Sequence, residues 1–139
     1  MRQIEELGEK EAALAMATIH EELGKRGKVA VLAVADSHGE LLSLLRMDGA
    51  PVQSVRVATS KALTAAREGS ATGELGKRFK ENGWQMANSD PRFTGWDGGV
   101  PVNHSGQVVG AVAVSGLSQE EDAELARLGV AAIMKSIGG

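Results

Sequence analysis

The chain has 139 residues, 42% of them hydrophobic and 24% charged, with a formal net charge of −3; this fits one domain that buries about two-thirds of its unfolded surface. It has no cysteine, which excludes disulfides, thiolate metal sites and cysteine nucleophiles and suits a reducing compartment, so a cytoplasmic location is expected. Aromatics are 3% and the basic residues are scattered, so nucleic acid is not an expected partner; nor is a membrane, because no segment reaches the roughly 18 apolar residues of a span and the charged start Met1–Glu6 does not read as a secretory signal.

Ala12, Met16, Ile19 and Leu23 recur at helical spacing and share one face, which predicts a helix over Ala12–Leu23, closed by Gly24 and Gly27. Val29–Ala35 is apolar at every position, the pattern of a central strand buried on both faces. Asp36-Ser37-His38-Gly39 supplies turn chemistry, and Glu40–Met47 returns as the second strand of a hairpin. Pro51 fits the first turn of a second helix that runs to about Glu68, with a stripe of small residues at Val55, Ala58, Ala62 and Ala65. A weaker amphipathic helix is expected over Thr72–Ala87, then an ordered loop over Asn88–Gly99 in which Phe93 and Trp96 have something to bury. Val100–His104 and Gln107–Ser115 form a second hairpin, and Ser118 with Glu121 is a capping box opening a last helix to about Ser136. The fold class is therefore α/β of the α+β type, in the order α-β-β-α-α-β-β-α: an antiparallel sheet covered by helices.

Arg46-Met47-Asp48-Gly49-Ala50, then Ser54 and Lys61-Ala62-x-Thr64-Ala65, resemble the GlcG/HbpS family, whose domain also forms the C-terminal part of PduO-type corrinoid adenosyltransferases. Gly98-Gly99-Val100-Pro101-Val102, the run Gly106–Gly116, Asp122 and the Ala126-x-x-Gly129 step match its second half, so the resemblance extends in order from about Ala12 to Ile133. It implies an α-β-α sandwich, usually a homo-oligomer, with haem bound in several members and a haem-ligating histidine in the first helix of some. Fold resemblance does not carry a function across. Two stretches depart from the family pattern: the turn Asn103-His104-Ser105 and the bulky loop Pro91–Asp97.

Ser54, Lys61 and Thr64 share one face of the second helix, and Arg46 and Asp48 end the strand leading into it. With the helix N-terminus near Pro51 they would make an anion-gripping pocket. Against this stands the reading that Arg46–Asp48 and Lys61–Glu68 are local ion pairs. Gly98 and Gly99 would bring backbone N–H groups to a ligand, or simply make a turn; Gly110 inside a strand implies close approach by a helix or a ligand. His20 flanks the apolar face of the first helix and is the haem axial candidate, or else an ordinary half-exposed histidine. His38 and His104 fall in turns and form no ligand spacing, so no metal site is expected. Gly76-Lys77 is not a Walker loop, because Ala71 stands where glycine is needed and Arg78 where Ser or Thr is needed. The expectation is a homo-oligomeric binding protein for haem or a related small acidic ligand, held by Arg46 and Lys61 with His20. The alternative is a cofactor-independent isomerase or lyase on a small carboxylated substrate, with Lys61 or Asp36 moving a proton.

Overall fold

In a computed structural model, residues 1–138 are described. The elements are α1 (Glu9–Arg26), β1 (Val31–Asp36), β2 (Leu41–Arg46), α2 (Gln53–Glu68), α3 (Thr72–Asn82), a 3-10 turn (Met86–Asn88), β3 (Gly99–His104), β4 (Gln107–Ser115) and α4 (Gln119–Ser136). The four strands form one antiparallel sheet in the order β2-β1-β4-β3, so the two hairpins meet through β1 and β4. Antiparallel pairing follows from the short Asp36–Gly39 and Ser105-Gly106 turns, which cannot carry a parallel crossover. Both the architecture and the order of elements agree with the sequence reading.

Because side chains alternate across a strand, β1 and β4 each feed two cores. Leu32, Val34, Val112 and Val114 meet Ile19 and Leu23 of α1 and Leu125 and Ile133 of α4 on one face. Val31, Ala33, Ala35 and Ala113 meet Ala58 and Ala62 of α2 on the other. The result is three layers, with α1 and α4 on one side and α2 on the other.

The limits of two helices and the neighbour of Gly110 differ from expectation. α1 begins earlier, where Gly8 N–H donates to Glu11 Oε1 at 2.8 Å, and runs through Gly24 to the left-handed Gly27. The helix expected over Thr72–Ala87 stops at Asn82, because Gly83 takes φ +68° and its N–H turns back to Lys80 and Phe79. Within β4 the approach to Gly110 comes from the chain's own N-terminal arm: Leu7 is buried there and its N–H donates to Val109 O at 2.9 Å. A Cβ on Gly110 would lie 2.6 Å from Leu7 Cδ1, so neither a helix nor a ligand is what the glycine admits.

Candidate functional site

Lys61 lies in the middle of α2 with its side chain only 2% exposed. Its ammonium donates to Val114 O at 2.9 Å and to Asp122 Oδ2 at 3.0 Å. Asp122 stands in the first turns of α4, and its other oxygen, Oδ1, accepts from Leu117 N–H at 3.1 Å. Burial pushes the Asp122 carboxyl above the ordinary carboxylate value, with the Lys61 charge and its hydrogen bond pulling the other way. The pair ties the α2 layer to α4 across the end of β4.

That pair lines a cavity of about 360 Å³ shared with Ser54, Ser115, Gly116, Gln119 and Trp96. Ser54 and Ser115 are 7% and 5% exposed. Among the described residues neither hydroxyl has a hydrogen-bond partner, and no fully enclosed side-chain polar atom is left unpaired. Both hydroxyls therefore open on the cavity. An ammonium has three donors and two of these are spent, which leaves one N–H of Lys61 for an occupant. The N-terminal turns of α2 and α4 both border this space. No side chain caps α2 and its first turn holds no acid, whereas Ser118 Oγ caps α4 by accepting from Glu121 N–H at 3.1 Å. Donors and the uncapped N-terminus of α2 thus converge on one niche, an arrangement that favours an anionic group.

Gly98 and Gly99 serve this niche indirectly. A Cβ on Gly98, whose φ is +127°, would lie 2.7 Å from Lys61 Nζ and 2.9 Å from Asp122 Cβ. The start of β3 can press on the ion pair only because nothing projects there. Thr64 Oγ1 donates to Ser60 O at 2.7 Å and accepts from Thr94 N–H at 3.1 Å, so it pins the loop that carries Phe93 and Trp96. Thr72 Oγ1 donates to Trp96 O at 2.7 Å and accepts from Gly99 N–H at 3.0 Å, fixing the other end of that loop.

The expected partnership of Arg46 with Lys61 does not form. Arg46 pairs with Val31, and Val31 with Ser115, so Arg46 is on the face and at the sheet end of the niche but two strands, about 10 Å, away. Arg46 and Asp48 are exposed and line none of the cavities at α2. The competing ion pairs fail as well. Among the described residues Arg46 does not pair with Asp48, and Lys61 takes Asp122 in place of Glu68. Lys61 is also not a surface cation: it is one of the largest fully buried side chains.

His20 is exposed on α1, in the layer across the sheet from α2. Within one chain it cannot share a ligand with Lys61. Asp36 sits at the far end of β1, opposite Gly110, and its Oδ1 accepts from His38 N–H and Glu40 N–H at 2.8 and 3.1 Å. It holds its turn and has no access to the niche, which removes it as a proton-transfer partner of Lys61. One group that sequence spacing could not reveal is Glu6, Asp36 and His38, whose potential ligand atoms lie within 4.8 Å of one another. His104 Nδ1 lies 3.7 Å from Glu5.

On the other side of Trp96 a groove of about 750 Å³ runs between α2, the β1–β2 turn and the Pro91–Trp96 loop. Leu41, Leu63, Pro91 and Phe93 give it apolar walls and Arg56 a cationic edge.

Residues 7–131 match the family model described as "Haem degrading protein HbpS-like". Protein GlcG of Escherichia coli (strain K12) is 35% identical over 116 residues, covering 78% of this chain and 81% of GlcG. The crystal structure of a Streptomyces reticuli HbpS double mutant superposes with a TM-score of 0.87 at 33% identity, covering 94% of this chain and 89% of that one. A PduOC–haem complex superposes with a TM-score of 0.81 at 25% identity, covering 91% and 94%.

Proposed function

The chain belongs to the HbpS-like family, and on that premise we propose that it is a small-molecule-binding protein whose ligand presents a carboxylate to the niche of Lys61, Ser54 and Ser115. The observation that carries this reading is the pair of buried serine hydroxyls with no protein partner beside a buried ammonium that still has an N–H to give. Among the described residues the protein claims neither hydroxyl nor the third N–H of Lys61, and an oxyanion seated in the cavity would accept from all three at once. Asp122 offsets the Lys61 charge, so the preference for an anion comes from the converging donors and the α2 N-terminus, not from net charge.

An NMR titration with acetate against the neutral isostere acetamide tests this. Acetate should shift the Ser54, Lys61 and Ser115 signals, acetamide far less. Ser54→Ala and Ser115→Ala should each weaken acetate by roughly 2- to 10-fold, the worth of one hydrogen bond. Equal response to the two probes, or variants that bind like the parent, would discard the niche.

Haem is the second reading, supported by the haem complex of one relative and by an exposed histidine on α1. Here the ligand would sit on the opposite layer, away from Lys61. In a haem titration His20→Ala should move the Soret band while Lys61 variants leave it alone; an unchanged band in His20→Ala removes His20 as the axial ligand.

A further inference from the structure

The niche and the larger groove share three wall residues, Gln53, Val57 and Trp96. Gln53 and Val57 are one helical turn apart on α2 and form the ridge between the two spaces, while Trp96 borders both from the loop. Its side of the boundary is unusual. The tryptophan is 58% exposed, yet its backbone is tied down: its carbonyl accepts from Thr72 Oγ1 at 2.7 Å and its N–H donates to Thr94 Oγ1 at 3.2 Å. Thr94 in turn is held by Thr64. A large apolar ring kept in water on an anchored backbone is a surface whose backbone ordering cost is already met before a ligand arrives. Phe93, Pro91, Leu41 and Leu63 continue that apolar surface into the groove, and its volume of about 750 Å³ falls within the range of small-molecule sites. Among the described residues Arg56, at the groove edge, has no ion-pair partner.

We infer that niche and groove are two halves of one site, and that the ligand class is a carboxylate carrying a flat apolar body, with the carboxylate at Lys61 and the body stacked along Trp96 into the groove. This rests on the niche reading above and adds the shape of the rest of the ligand. Stacking on an indole face is selective for planar groups, because offset aromatic contact needs two flat partners. A branched aliphatic acid of equal carbon count would not gain from it in the same way.

The experiment compares acetate, 2-naphthoate and an aliphatic acid of similar carbon number on the parent chain, Trp96→Ala and, as control, Trp84→Phe. On the parent chain 2-naphthoate should bind about tenfold or more tightly than acetate, a gain of the size expected for burying a two-ring surface, and acetate should compete it off. Trp96→Ala should cut that gain, taken as the ratio of 2-naphthoate to acetate affinity in the same variant, to below about threefold; Trp84→Phe should leave the ratio as in the parent chain. If acetate binds and 2-naphthoate gains nothing over it, or gains equally in Trp96→Ala, the two-part site is wrong while the niche stands. If acetate leaves the Ser54 and Lys61 signals unmoved, the niche falls and this inference falls with it.

Discussion

On the face covered by α1 and α4, leucine, isoleucine and valine from helices and strands interlock, whereas on the face covered by α2 the contact is alanine against alanine: Ala58 and Ala62 on Ala33, Ala35 and Ala113. Large side chains fill the first interface and hold the layers apart. Small ones let α2 lie close on the sheet, and that closeness brings the Lys61 ammonium to Val114 O at the strand end. A helix packed at ordinary distance through leucines would leave Lys61 at the surface. The difference separates two duties. Most hydrophobic stabilisation lies on the α1/α4 face, and the polar chemistry lies on the face where little apolar bulk competes for space.

Breaking the buried pair gives the largest expected effect. Lys61→Met leaves the Asp122 carboxyl buried without its cation, which should cost about 3–5 kcal/mol in denaturant unfolding. The double variant Lys61→Met/Asp122→Leu should recover most of that loss, because an apolar replacement of both partners removes the desolvation penalty as well. A single variant as stable as the parent would show that the α2 face tolerates an orphaned carboxylate, and the division of duties would fail.

The faces should also respond oppositely to volume. Leu32→Ala, on the α1/α4 face, removes a fully buried side chain and should cost about 2–5 kcal/mol. The α2 contact is already alanine on alanine, so the matching change is an enlargement: Ala62→Leu should cost about 1–3 kcal/mol by overpacking. It should also shift the Lys61 signals, which Leu32→Ala should not. If Ala62→Leu is neutral, the close approach of α2 is not what places Lys61.

The sequence showed the first face far better than the second. Ala12, Met16, Ile19 and Leu23 announce a helix face by periodicity, and Val29–Ala35 announces a doubly covered strand; both lie in the core, apart from Val29 at its margin. The alanine stripe of α2 was visible too, but its consequence was not. Lys61 reads as the cation of an open pocket or as half of a local ion pair, and nothing local reports that the helix lies close enough to bury it against Asp122. Asp122 was harder still. It sits among Glu120 and Glu121 at a helix start, where acids need no explanation beyond the helix dipole, and its partner is far off in the chain. Ser115 looked like a strand end, and only its pairing with Val31 sets it facing α2. Arg46 went wrong for the converse reason: it stands beside the niche motif in sequence, but β2 is the edge strand and carries it two positions outward.

α4 is where the two faces meet, and its adjacent acids should titrate in opposite directions. Glu121 reaches the α1 side, accepting from Lys28 Nζ at 2.7 Å and from Arg26 at 3.2 Å. The Lys28 hydrogen bond, with that of Arg26, holds its carboxyl below the ordinary value of 4.5. Asp122 reaches the α2 side, where burial carries its carboxyl above the ordinary value of 3.8 despite Lys61. A lowered carboxyl contributes stability that is present above pH 4.5 and lost as pH falls through its folded value. A raised one contributes stability that is present below pH 3.8 and lost as pH rises through its folded value. The two therefore oppose each other in mild acid, and the loss of stability on acidification should be shallower than Glu121 alone would produce. Glu121→Gln removes the acid-labile half, so the slope of stability against pH should flatten further or reverse. Carbon-13 carboxyl titration checks the assignment directly, with a Glu121 midpoint below 4.5 and an Asp122 midpoint above 3.8. Midpoints displaced in the same direction would mean that the α2 face does not impose a desolvation cost on Asp122, and the contrast between a bulky stabilising face and a close-packed polar one would lose its electrostatic half.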